Sequence, residues 1–180
     1  MRINPEDTAA VIVDLQEKLM PVIHEKEAVE ARNVLLIRGL KCLGIPVLLT
    51  QQYTKGLGSS LPSIYEAAGS TDYIEKSSFS CVHEPAFMEA VEATGKKTIL
   101  MTGTEAHICV LQTAMDLTAM GYRVVLVTDC VGSRTERDRA AGIRRAIQEG
   151  ITVTTAEAVL FELLVDSKNP HFREISKLVK

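Results

Sequence analysis

Residues 98–121 read TILMTGTEAHICVLQTAMDLTAMG. The stretch opens with a short apolar run, 98–102, and passes through Gly103-Thr104-Glu105-Ala106-His107. Over 108–120, Val110, Leu111, Ala114, Met115 and Leu117 recur at three- and four-residue spacing, which marks a helix with one buried stripe. Gly121 stands where a helix stops, and a second apolar, valine-rich run, 124–128, follows at once. Strand, helix, stop and strand make a βαβ unit, and strands joined by such a crossover lie parallel.

The same grammar extends in both directions. Strand-like runs occupy 9–13, 46–50, 98–102, 124–128 and 151–154, with a weaker one at 72–76. Helical patterns cover 25–43, 84–94, 108–120, 136–149, 156–165 and 170–179, and Gly44, Gly121 and Gly150 each separate a helix from a strand. The runs are continuously apolar, so both faces of each strand are covered. These features predict a single domain over 1–180 of the α/β class. It is a three-layer α/β/α sandwich, doubly wound and Rossmann-like, around a six-stranded, mainly parallel sheet. A closed barrel needs eight units and about 250 residues. The stretch 54–60, TKGLGSS, reads as the most loop-like, and 53–70 as a whole as a loop.

Composition narrows the function. The chain has 180 residues, is 46% apolar and carries 20 Lys+Arg against 23 Asp+Glu, for a net charge of -3. That is enough apolar surface for one core and too little charge for disorder. There is no basic block, aromatics are 4% and Trp is absent, which argues against a nucleic-acid partner. No apolar run approaches the ~20 residues that span a bilayer, so no membrane partner is expected. MRINPEDTAA lacks a basic start followed by an apolar stretch, so the reading is cytoplasmic. Cys42, Cys81, Cys109 and Cys130 form no CxxC pair and are expected as thiols; Cys81 and Cys130 are packed thiols or, less simply, redox partners.

In an open parallel sheet, ligands bind beyond the carboxyl ends of the strands. Asp14 and Gln16 follow the first strand, Gln51, Gln52 and Tyr53 the second, Lys76 and Phe79 the third, and Glu105, His107 and Cys109 the fourth. Asp129, Cys130 and Arg134 follow the fifth. A carboxylate, an ammonium and a thiol at one edge make a sensible set for nucleophilic catalysis. Cys109 would open a helix, whose N–H groups and dipole favour a thiolate, and Lys76 would act in the same sense. Asp14 would take the thiol proton and return it to a leaving group. Each residue also has a plain reading: Asp14 as a cap, Lys76 as a solvated lysine, Cys109 as an inert helix residue, His107 as a capping or surface histidine. Gly56-Leu57-Gly58 lacks the third glycine of a dinucleotide loop, and no phosphate loop occurs.

GTEAHICVLQTAMDL resembles the nucleophile segment of the isochorismatase-like cysteine hydrolases, which include nicotinamidases and carbamoylases. AVIVDLQ resembles the Asp-x-Gln signature of that family, YIEKSSFS its Lys-x-x-Phe-Ser segment, and VVLVTDCVGSRTERD the segment after strand five, with Arg134 and Asp138 in place. The resemblance spans roughly residues 8–165 and is greatest to the short isochorismatase-domain-containing branch. It implies a catalytic triad of Asp14, Lys76 and Cys109, a cis bond between Thr104 and Glu105, and an oxyanion hole from the N–H groups of Glu105 and Cys109. Gln16, Tyr53, Phe79 and His107 are the candidate pocket residues. Thr50-Gln51-Gln52-Tyr53 stands where nicotinamidases carry an Asp-x-His metal pair, and His24, His83, His107 and His171 offer no substitute cluster, so no metal and no cofactor are expected. The resemblance further implies a homo-oligomer of two, four or more copies acting on a small molecule. The activity it implies is hydrolysis of a small amide or related C–N carbonyl compound. The alternatives are an isochorismate-type vinyl-ether hydrolase using Asp14, a non-catalytic interaction module, and a thiol redox sensor.

Overall fold

The computed structural model describes residues 2–180. Six strands form one sheet: β1 (Thr8–Val13), β2 (Val47–Gln52), β3 (Ile74–Lys76), β4 (Thr98–Thr104), β5 (Arg123–Gly132) and β6 (Thr152–Thr154). Their order is β3-β2-β1-β4-β5-β6 and every pairing is parallel. The chain starts at the centre, builds outward through β2 and β3, then returns to the other side of β1 with β4. That reversal puts a topological switch point between β1 and β4, where a crevice opens beyond the strand ends.

The helices are α1 (Lys26–Cys42), α2 (Thr54–Leu57), α3 (Pro62–Ala68), α4 (Pro85–Ala93), α5 (Cys109–Ala119), α6 (Glu136–Gln148), α7 (Ala156–Leu164) and α8 (Phe172–Leu178). Strand side chains alternate faces, so one apolar run feeds two cores. Ala10 and Ile12 of β1 pack with Leu36, Ile37 and Leu40 of α1 and with Val159 and Leu160 of α7. Ala9, Val11 and Val13 pack with Phe87 of α4, Val110 and Ala114 of α5 and Ala146 of α6. All six β1 residues are buried, as a continuous run demands. No helix of the described residues is long and apolar enough to cross a membrane.

Three differences from the sequence reading matter. The stretch read as a loop after the second strand holds α2 and α3. Its seven-residue helix α3 is too short for periodicity to show, although Pro62 at the first turn and Gly69 (φ 65°) past the end were the available signals. The fifth strand runs on to Gly132, ten residues in all, because a bulge lets Val131 and Gly132 pair with Gly103 and Thr104. Asp129 and Cys130 therefore lie within β5 and not past its end. Finally, Cys81 packs in the α4–α5 layer and Cys130 in the α1–α7 layer, so the sheet separates them and they are not redox partners.

Candidate active site

Asp14 follows β1 with φ 49°, a left-handed conformation that a non-glycine residue adopts only when its surroundings hold it. They do: Thr104 Oγ1 donates to the Asp14 carbonyl at 2.8 Å, the Gln16 N–H donates to it at 2.9 Å, and the Asp14 N–H donates to the Thr50 carbonyl at 3.3 Å. Thr50 Oγ1 donates to Asp14 Oδ1 at 2.8 Å. The other oxygen, Oδ2, lies 2.7 Å from Lys76 Nζ as an ion pair, yet makes no aligned hydrogen bond among the described residues. Both side chains are at most 1% exposed.

Lys76 ends β3, and its ammonium also donates to Gln52 Oε1 at 2.5 Å and to the carbonyls of Ser78 and Phe79 at 3.2 and 3.3 Å. Burial pulls the Lys76 pKa down, but the Asp14 carboxylate together with the Cys109 and Cys81 sulfurs outweighs it and holds the ammonium charged above its usual range. Burial pushes Asp14 above the ordinary carboxyl value of 3.8, with Lys76 opposing. A carboxylate with a raised pKa is a better proton acceptor than an exposed one.

Cys109 is the first residue of α5 and only 7% exposed. Its carbonyl accepts from Thr113 Oγ1 at 2.7 Å, and Thr113 Oγ1 in turn accepts from the Cys81 N–H at 2.9 Å. The thiol faces the Asp14–Lys76 pair. Burial, reinforced by the Asp14 carboxylate and opposed by Lys76, pushes it up to about 12. The expected lowering of this thiol by Lys76 and the helix terminus does not describe the free site. Desolvation of an almost fully enclosed sulfur is the larger effect, so the resting state is thiol, carboxylate and ammonium.

The Thr104–Glu105 peptide bond is cis. The Glu105 carbonyl accepts from Ile108 and Val110 at 3.0 and 3.2 Å, while among the described residues no backbone carbonyl accepts from the N–H of Glu105 or of Cys109. Two free N–H groups beside a thiol fit an oxyanion. The loop that carries them is clamped from the far side. The Glu105 carboxylate meets Arg134 Nε at 3.3 Å and accepts from the Arg134 N–H at 3.3 Å, His107 Nδ1 bonds Ser133 Oγ at 2.9 Å, and the Ala106 N–H donates to the Gly132 carbonyl at 2.7 Å. Arg134 is thus a brace for Glu105.

The remaining candidates divide. Gln16 is fully buried and donates to the carbonyls of Gln52 and Gly58 at 3.0 and 2.7 Å, while its Oε1 accepts from the Gln52 N–H at 2.8 Å. It ties β1 to β2 and leaves no group for a ligand. Tyr53 and Phe79 are 56% and 58% exposed and flank Lys76 through the backbone, since the Tyr53 N–H donates to the Lys76 carbonyl at 2.9 Å. Sequence reasoning gave no role to the hydroxyls of Thr50 and Thr104 or to the Gln52 amide. Only the register that brings these side chains to one edge reveals them. A cleft of about 350 Å³ lined by Lys41, Val47, Leu49, Asp72, Tyr73 and Ile74 lies where strands begin and holds none of the triad.

Gly142 of α6 packs on the same loop: a Cβ there would lie 2.8 Å from His107 Cα and 2.9 Å from the Ala106 carbonyl oxygen. Helix propensity favours alanine over glycine by about 1 kcal/mol. Here crowding against backbone wins, so Gly142→Ala lowers the melting temperature and the turnover together. A rise in melting temperature would show that the loop yields.

A model of the isochorismatase domain matches residues 8–158. An isochorismatase domain-containing protein 1 of Salmo salar is 35% identical over 176 residues, 98% of this chain and 62% of its own length, so the chain spans about three fifths of that curated relative. Among solved structures, the MAR1 ribonuclease from Caenorhabditis elegans superposes with a TM-score of 0.93 at 34% identity, covering 99% of this chain and 92% of that one. The YcaC gene product of Escherichia coli, described as an octameric hydrolase of unknown specificity, superposes at 0.90 with 25% identity, covering 99% of this chain and 95% of its own.

Proposed function

The chain belongs to the isochorismatase family, and from that premise we propose that it is a metal-independent cysteine hydrolase of a small amide or related C–N carbonyl compound. One observation carries the reading. Asp14 Oδ2, buried and without an aligned hydrogen bond, lies 2.7 Å from the Lys76 ammonium, and both groups act electrostatically on the Cys109 thiol. Asp14 takes the thiol proton as sulfur bonds to the substrate carbonyl carbon. The resulting oxyanion rests on the N–H groups of Glu105 and Cys109. As the intermediate collapses, the C–N bond breaks and the proton on Asp14 passes to the leaving nitrogen, leaving a thioester. Water then gives a proton to Asp14, adds to the thioester carbonyl, and the C–S bond breaks; the proton returns to sulfur. Lys76 stays charged throughout and keeps the carboxylate oriented.

The site predicts a pH profile. Asp14 must be ionised to accept the proton, and burial has raised its pKa, so kcat/KM falls on the acid side with a midpoint above 3.8. No alkaline rise through neutral pH is expected, because the thiol sits near 12 and its proton leaves through Asp14. A profile climbing about tenfold per pH unit through neutrality would assign the work to free thiolate and remove Asp14 as base. The substrate class is tested by a panel of small amides, ureas and carbamates, read by intact mass for an acyl adduct on Cys109. No adduct with any of them would sink the reading.

The rim residues Tyr53 and Phe79 are exposed aromatics beside an unfinished pocket, and the Escherichia coli neighbour is octameric, which supports a homo-oligomer whose second copy closes that rim. A second reading comes from the Caenorhabditis elegans neighbour, described as a ribonuclease. It is tested with a labelled RNA oligonucleotide. The net charge of -3 and an ammonium already paired to Asp14 favour the small neutral carbonyl compound.

A further inference from the structure

At the opposite edge of the sheet, where strands begin, the C-terminus of α1 meets the start of α8. Cys42 Sγ lies 3.3 Å from His171 Nδ1, and a carboxylate oxygen of Glu174 joins them so that all three ligand atoms fall within 4.8 Å of one another. His171 is the N-cap of α8 and Glu174, three residues on, lies in its first turn. We propose that Cys42, His171 and Glu174 form a binding site for a thiophilic divalent cation, zinc by its chemistry, that fastens α8 to α1.

The donor set supports this. One thiolate, one imidazole and one carboxylate are the ligand types zinc takes, and in a tetrahedral site their donor atoms stand about 3.5 Å apart. The present spacing needs only a small closure. Two anionic ligands neutralise the dication, and water completes the shell. Binding breaks the Cys42 S–H bond and releases its proton to solvent, forming a metal–sulfur bond with no change of oxidation state. Burial and the neighbouring Glu174 carboxylate push the free thiol up to about 11, so it stays protonated until a cation replaces the proton. The segment that carries His171 is fixed: its backbone N–H donates to Asn169 Oδ1 at 3.0 Å, and Asn169 Nδ2 donates to the Leu164 carbonyl at 3.0 Å. The expectation that the histidines offer no cluster overlooked this one, because Cys42 and His171 lie 129 residues apart.

The test titrates the metal-free full-length chain with Co²⁺ and follows the thiolate-to-cobalt charge-transfer band. Wild type is expected to give one band at one ion per chain, displaced by Zn²⁺ and accompanied by a rise in melting temperature. The band persists in Cys109→Ser, which separates this site from the catalytic thiol. It is lost in Cys42→Ser and in His171→Asn and weakened in Glu174→Gln, each checked for a native circular dichroism spectrum before metal is added. Absence of a band in the wild type, or its survival in Cys42→Ser, overturns the proposal. Neither result bears on the catalytic reading.

Discussion

Cys109→Ala is expected to lower hydrolysis by about four orders of magnitude or more, the scale on which removal of a nucleophile acts. The loss will be accompanied by disappearance of any acyl adduct from the intact-mass spectrum. Stability should barely move: the change deletes one sulfur from a side chain packed at the start of α5, an effect of about 1 kcal/mol. Far-ultraviolet circular dichroism and thermal melting check the fold, and steady-state kinetics check the loss. The variant also separates the rivals. Hydrolysis that survives Cys109→Ala and vanishes in Asp14→Asn would assign the chemistry to the carboxylate alone, as in vinyl-ether hydrolysis. If the unaltered chain shows neither turnover nor labelling at Cys109, the fold serves as an interaction module.

Asp14→Asn has a second, larger consequence, for folding. The Lys76 ammonium would lose its counter-ion at 2.7 Å while 1% exposed. Gln52, Ser78 and Phe79 still accept from it, but a buried charge without its partner costs about 3–5 kcal/mol. Urea unfolding should show a loss of that order, together with loss of turnover. The double variant Asp14→Asn, Lys76→Met removes both charges and should regain most of the stability with none of the activity. Recovery of activity in the double variant would refute the assigned role of Asp14. Failure to recover stability would mean that the threonine contacts, and not the ion pair, organise the edge.

Much of this molecule could be read from residue order. Every strand but the weakly marked β3 was visible as an apolar run, and each long helix as a periodic one, because those patterns follow from burying one or two faces of a regular backbone. Asp14, Lys76 and Cys109 were legible as a set because each follows or ends a strand, and strand ends gather at one edge of a parallel sheet. What escaped were short elements and distant partners. Helix α3 has too few residues for a period to repeat. Thr50 and Thr104 are ordinary residues until the register of β1 against β2 and β4 places their hydroxyls on Asp14.

The electrostatics divide along the same line. Local sequence places a thiol at a helix start and a lysine at a strand end, and from that alone a lowered thiol pKa follows. Enclosure reverses the sign, because burial depends on which layers close over the sulfur and not on its neighbours in the chain. The stretch 98–121 thus determines a strand, a turn and a helix that presents Cys109. That the cysteine rests as a thiol beside a buried ion pair is a property of packing across β1, β3 and β4, and only the folded sheet brings those strand ends within reach of one another.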